Sequence, residues 1–319
     1  MNISSLPRLL AARLAVLVVA ILAATVRASF GAPLTLHIAD YTGGLETLMQ
    51  AAGEIQPVGY RIAWHRFAEV NDSLLALNAQ AVDLAGVGDS GLIAARTTGL
   101  PIKAVAAWRI DGTNTAILAR AASPFRTVED LRGHTVCLGR ASMGHFLLLA
   151  AQAQAGIAID AIRPVFMGRS DCKAALSTGA VDAWATWGPF TVMEELYNNA
   201  QIILRGTTLS TSVGVLVGTE ATLRTKEPLI RDFLARVWRA RAWGLLHQAD
   251  YARAYARDTG LPPDAALMLI QRENTRMIPL AGDLKSLLSR IQETFFAAGV
   301  ITNKIDIDAA VDLTFSDIR

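Results

Sequence analysis

The stretch "HTVCLGRASMGHFLLLAAQAQAG", residues 134–156, carries three local patterns in succession. "HTVCLG" is a short run of β-branched and apolar residues closed by a glycine, and it reads as a buried strand. "RASMG" is a turn of small residues with one arginine. From Phe146 the chain stays apolar for two helical turns and stops at Gly156, a common helix terminator. A strand that feeds a helix through a small-residue turn is the repeating unit of a sheet flanked by helices.

The unit recurs in both directions. Downstream, "RPVFM", "VDAWATW" and "QIILRG" are strand candidates, with helices predicted over 144–155, 171–178 and 190–198. Upstream, "LTLHIA" (34–39), "YRIAWHRF", "VDLAGVG" and "IKAVAAW" alternate with the helical stretches "LETLMQAAGE", "DSLLALNAQ" and "SGLIAARTTG". A strand "NTAILAR" (114–120) and the turn with a short capped helix in "SPFRTVEDLRG" separate the two series. After "TSVGVLVG" near residue 210 the chain is nearly all helical. The pattern predicts α/β architecture with parallel sheets in two lobes, the second inserted between halves of the first. The expected bounds are 29–118 for the first part of lobe 1, 119–210 for lobe 2, and 211–319 for the helical completion of lobe 1. Crossings near 118–122 and 206–212 would form the hinge, and a cleft between such lobes collects strand C-termini and helix N-termini.

The first 28 residues stand apart. Arg8 and Arg13 precede the uncharged run "LAVLVVAILAATV", and small residues surround Ala28. A run of about 13 residues is too short to span a bilayer, and the order matches a secretory signal. Cleavage after Ala28 is favoured over cleavage after Ala32, which would leave Pro33 next in line; an uncleaved anchor is the alternative. Loss of this segment removes Arg8, Arg13 and Arg27, leaving 27 basic against 28 acidic side chains in the mature chain. The basic balance of the whole sequence therefore belongs to the signal, and nucleic acid is not expected as a partner. With 52% hydrophobic residues the full sequence has ample material for buried cores. Cys137 and Cys172 have no metal-ligand spacing; they pair in an oxidising compartment or stay as buried thiols, and both readings stand.

The junctions carry the chemistry. A helix N-terminus presents unpaired N–H groups and a partial positive charge, so it holds anions without a formal cation. At "GRASMGHF", Arg140, Ser142, Met143, Gly144 and His145 form a candidate anion seat: the Ser142 hydroxyl donates, Gly144 admits the ligand to the backbone, and His145 donates from its ring. An ordinary Ser142 cap with His145 packed on the first turn explains the same residues. "AGVGDSG" places Asp89 and Ser90 at a similar turn, and "DYTGG" places Tyr41 and Thr42 at a third. In "VDAWATWGPF", Trp184 and Trp187 are candidates for a cleft wall, one lining and one packed inside, unless both are core. Trp64, Trp108 and Arg109 carry less weight. The chain has no GxSxG elbow, HExxH, P-loop or GxGxxG junction, and its five histidines are scattered. No catalytic residue, metal or cofactor is expected.

The block from "VCLGRASMGHF" through "DCKAALSTGAVDAWATWGPF" resembles the periplasmic substrate-binding proteins of ABC importers for aliphatic sulfonates, relatives of the taurine and nitrate binders. That family carries a GS-x-x-H-type turn, a D-x-x-A-A-x-x-x-G-x-V-D-A-W run and W-D-P-F, which stand here as "ASMGH", "DCKAALSTGAVDAW" and "WGPF". Weaker likeness runs through "LTLHIADYTGG", "VDLAGVGDSG" and "TVEDLRG". Two departures are Ala141, where the family usually has glycine, and Gly188, where it usually has aspartate. The resemblance implies a two-lobe, type II-like periplasmic binding protein. It would be a monomer that captures a small organic anion such as an aliphatic or aryl sulfonate and delivers it to an ABC permease. Ser142 and His145 would fall on the sulfonate-contacting turn, Ser90 on the first-lobe turn, and Trp184 and Trp187 on the aromatic segment. The same fold resembles sulfinate desulfinases and pyrimidine-precursor synthases, so an enzyme is the rival class; the desulfinases carry a first-lobe cysteine that "DYTGG" lacks. A receptor would need a transmembrane or signalling segment that the chain does not show.

Overall fold

The computed structural model describes residues 34–41, 44–57, 59–67, 69–209 and 212–319. The signal segment 1–28 and Thr42 lie outside the described residues. Among the described residues eleven strands form two sheets. The first contains β1 (Leu34–Tyr41), β2 (Tyr60–Phe67), β3 (Leu84–Gly88), β4 (Ile102–Arg109), β10 (Val213–Thr219) and β11 (Arg276–Ile278), in the order β11-β4-β10-β3-β1-β2. The second contains β5 (Thr115–Ala119), β6 (Thr135–Leu138), β7 (Arg163–Phe166), β8 (Ala183–Trp187) and β9 (Gln201–Arg205), in the order β7-β6-β8-β5-β9.

Neither sheet is wholly parallel, against the expectation from the alternating pattern. β1 runs parallel to β2 and β3, and β6 parallel to β7 and β8. β10 is antiparallel to β3 and β4, and β5 is antiparallel to β8 and β9. β5 and β10 each follow a change of sheet, where no crossover helix imposes a parallel return, and the short β11 is antiparallel to β4 as well. β5 pairs wholly within the second sheet, so the chain changes sheet at 110–114 rather than at 118–122. The return lies between Arg205 and Val213. β11 is a further strand in the stretch expected to be helical; with three residues it is too short to show an alternation.

The helix α4 (Met143–Gln154) explains why "HFLLLAA" is apolar on every side. Leu147, Leu148 and Ala151 pack on the second sheet, while Phe146 and Leu149 join the core built on the first. A helix buried on opposite faces needs no polar stripe. Phe146 meets Phe295 edge-on at 6.3 Å, which makes this seam between the two sheets apolar. Elsewhere the seam is ionic: Glu195 binds Arg205 of the second sheet at 2.9 Å and Arg272 of the C-terminal helices at 2.7 Å.

Candidate ligand-binding cleft

At "GRASMGH" the Ser142 oxygen and the His145 Nδ1 atom accept hydrogen bonds from the junction itself. Ser142 is the N-cap of α4 and its hydroxyl oxygen accepts from the His145 amide at 3.2 Å. The Ala141 amide donates to His145 Nδ1 at 3.1 Å, which leaves the ring proton on Nε2. Burial, with Arg140 nearby, holds the His145 pKa down to about 4, so the ring is neutral at pH 7. That ring is enclosed by Phe166 and Phe295, with centroids 5.3 and 5.8 Å away. Arg140 is exposed and lies over Phe166 at 4.0 Å. Met143 sets its thioether against Gly88 across the cleft.

Gly144 was expected to let a ligand reach the backbone, and its neighbour is instead protein. A Cβ there would stand 2.5 Å from the Ala185 carbonyl oxygen, so the residue permits α4 to lie directly on β8. Ala141 has φ 54°, in the left-handed region that glycine occupies without a steric cost. The departure from the family pattern thus bears on the backbone of the turn. Gly188 has φ 65° and ψ −136°, a combination that is nearly closed to residues with a side chain.

The first-lobe junction is also closed on itself. Asp89, at the start of α3 (Asp89–Thr97), accepts from the Ser90 amide at 2.6 Å, from the Ser90 hydroxyl at 3.1 Å and from the Val213 amide at 3.1 Å. This pair ties α3 to the first residue of β10 and is fully buried. In "DYTGG", Asp40 accepts from the Leu45 and Glu46 amides and so caps α1 (Gly44–Ala51). Burial raises its pKa to about 6. Tyr41 differs from these: its hydroxyl is buried with no hydrogen-bond partner among the described residues.

Trp184 is core. It is 0% exposed, packed with Cys137, Cys172 and Leu176, and edge-on to Phe190 at 5.5 Å. Its strand position turns it to the face of β8 covered by α5 (Arg169–Thr178). Trp187, three residues on, is half-buried. Trp64 packs on Phe233 and Trp108 lies under Arg241, so both belong to the body of the first lobe; Arg109 is exposed.

The residue that draws these groups together is Arg169, which the sequence reading passed over. It is the first residue of α5, 5% exposed, with its guanidinium 4.7 Å from the Tyr41 ring, 5.3 Å from Trp187 and 4.9 Å from Phe190. Tyr41 comes from the first sheet, Trp187 from the second and Phe190 from the helix that follows β8, so Arg169 sits where the lobes meet. The Glu69 carboxylate approaches at 3.9 Å. Burial lowers the Arg169 pKa to about 10, and the group remains a cation at neutral pH. On the α5 side of β8 the Thr186 hydroxyl and Trp184 Nε1 are buried without hydrogen-bond partners among the described residues. The signal was "MGRSDC", a strand–glycine–helix junction of the same kind as the others, with its cation inside the first helical turn.

A desolvated guanidinium, a tyrosine hydroxyl, aromatic faces and a helix N-terminus form a donor-rich site for an anion with an apolar body. Residues 65–250 match the family model described as NMT1/THI5 like. The chain belongs to the NMT1/THI5-like family. A relative from Escherichia coli (strain K12), named as an aliphatic sulfonates-binding protein, is 28% identical over 284 residues, 88% of this chain and 89% of its own length. The crystal structure of the periplasmic aliphatic sulphonate binding protein SsuA from Escherichia coli matches with a TM-score of 0.79 at 25% identity, over 89% of this chain and 99% of that one. The alkanesulfonate-binding protein SsuA from Xanthomonas axonopodis pv. citri, bound to MOPS, matches with a TM-score of 0.78 at 24% identity, over 88% and 98%. This family member therefore has the periplasmic binding protein fold, and the two SsuA structures are those of sulfonate-binding proteins.

Proposed function

We propose that this protein is the extracytoplasmic solute-binding component of an ABC importer for organic sulfonates, with Arg169 and Tyr41 holding the sulfonate group. The observation that carries the reading is the buried Arg169 bracketed by Tyr41, Trp187 and Phe190. A sulfonate has three acceptor oxygens on a tetrahedral head, which suits a guanidinium with hydroxyl donors beside it. Its carbon tail suits the rings of Trp187 and Phe190. The names of the relatives point to the same ligand class. Residues 1–28 serve as the export signal, with the mature chain beginning at Ser29 and working as a monomer that docks on a membrane permease.

A thiol enzyme of the desulfinase kind finds no support in the cysteines. Cys137 and Cys172, the two cysteines of the chain, are joined in a disulfide. Their pairing also suits an oxidising compartment outside the cytoplasm.

Isothermal titration with alkanesulfonates, MOPS, an arylsulfonate, taurine, sulfate, nitrate and bicarbonate tests the proposal. Saturable binding of at least one organic sulfonate, at least 10-fold tighter than sulfate or nitrate and with the ligand recovered unchanged, is the expected result. Preference for an inorganic anion, or chemical conversion of the sulfonate, would overturn it.

A further inference from the structure

We propose that the Cys137–Cys172 disulfide is a positioning element for the binding site, holding the first turn of α5 so that Arg169 stays in the cleft. The inference rests on the reading of Arg169 as the anion holder. It starts from how few buried side chains hold this helix, beside the Arg120–Leu176 hydrogen bond and the Lys173–Glu194 and Arg169–Glu69 ion pairs. Of the ten residues of α5, only Arg169, Cys172 and Leu176 are buried. These positions, i, i+3 and i+7, lie along one face, so the disulfide sits one turn from Arg169 on the side that carries it. Leu176 is then the single buried aliphatic anchor of the helix. The N-cap is Gly168, which offers no side-chain hydrogen bond. The strand leading in, β7, is an edge strand with three of its four residues exposed, and its one neighbour is β6.

Against this weak attachment stands the cost of keeping a cation out of water. A buried guanidinium is drawn towards solvent, and a sparsely packed first turn is the easiest part of the helix to move. The disulfide opposes that motion directly. Cys137 is in β6, paired in the middle of the second sheet with Trp184 of β8, and its Cα lies 5.6 Å from that of Cys172. A bond from the sheet interior to the fourth residue of α5 confines the segment that bears Arg169. The free energy that a ligand would otherwise lose in ordering this turn is already spent on folding.

The test compares the oxidised protein with the Cys137→Ala/Cys172→Ala double variant, each with Arg169 intact and with Arg169→Ala, giving a four-member cycle. MOPS and hexanesulfonate are the probes in titration calorimetry. Hydrogen exchange of residues 168–176 is measured on all four proteins without ligand. Removal of the disulfide should weaken the tighter-binding probe at least 10-fold with Arg169 present and less than 2-fold in the Arg169→Ala background. Exchange should quicken at the amides of residues 172–174, whose hydrogen bonds close the first turn of α5, while β6 and β8 keep their protection. Equal weakening in both backgrounds, or binding by the double variant within 2-fold of the oxidised protein, would overturn the proposal. If the oxidised protein binds neither probe, the sulfonate reading fails and the exchange data decide the tether alone. Faster exchange confined to residues 168–174 then supports it, and unchanged exchange sinks it. Should the double variant unfold, mild reduction of the wild-type protein followed by the same two measurements replaces it.

Discussion

Two junctions of the second sheet, 139–145 and 167–172, look alike in sequence and do different work. Each brings a strand through a glycine to a helix start with an arginine close by. At the first, Ser142 caps, His145 accepts an amide, Gly144 is pressed against Ala185, and Arg140 points to solvent. At the second, there is no side-chain cap and the arginine is inside, between rings from both lobes. The difference teaches that polar residues at a helix start satisfy the helix first. A binding role belongs to the group whose burial the local backbone does not explain.

Substituting Arg169 tests this contrast most severely. Removing a charged partner from a buried site costs about 2–5 kcal/mol of binding, so Arg169→Ala should weaken sulfonate affinity about 100-fold in calorimetry. Affinity within three-fold of wild type would dissolve the distinction between the junctions.

Gly144→Ala should act on stability. Its Cβ would lie 2.5 Å from a backbone oxygen of β8, and overpacking of this kind costs about 1–3 kcal/mol. Denaturant melts measure it, and an unchanged midpoint would mean that α4 can lift off β8 freely.

The pH dependence of His145 comes next. In the unfolded chain the imidazole takes a proton near pH 6.5, and in the fold not until about pH 4. The unfolded state therefore binds more protons between these values, and stability falls as pH drops from 6.5 towards 4. At pH 5 the loss is about 2 kcal/mol. Asp40 opposes it, because its raised pKa relieves the fold as the carboxyl protonates near pH 6. The sharp measurement is a difference: His145→Gln should lose less stability than wild type between pH 7 and pH 5. Identical pH slopes would place the His145 ring in water.

Ser142→Ala should have the smallest effect, about 1 kcal/mol of stability for a lost cap and a change in affinity below two-fold. A 10-fold loss of affinity would return the anion seat to "RASMGH".

Much of the fold was legible because buried strands and amphipathic helices leave periodic marks. "VDLAGVG", "VDAWATW" and "HFLLLAA" became β3, β8 and α4 within a residue or two. The position of β5 was not legible, since a fully buried five-residue strand fits either sheet equally well in sequence. The disulfide depends on a contact 35 residues apart between β6 and α5, which no local spacing encodes. Tyr41 and Trp187, named from their junctions, stand beside Arg169, whereas Trp184 turned to the covered face of its strand. Arg169 escaped notice because exposed and buried arginines are spelled the same way, and only the convergence of Tyr41, Trp187 and Phe190 separates them.

The place of β10 has a consequence for the order in which the molecule comes together. β3 and β4 share no ladder; β10 lies between them, and it is made only after residue 212. Until then the first sheet exists as two pieces, β2-β1-β3 and a lone β4, with buried edges open. Every pairing of the second sheet, by contrast, lies between residues 115 and 205 and is closed before β10 arrives. The lobe begun first is therefore finished last, and during that interval its unpaired β3 and β4 edges are the part of the chain most exposed to wrong pairing.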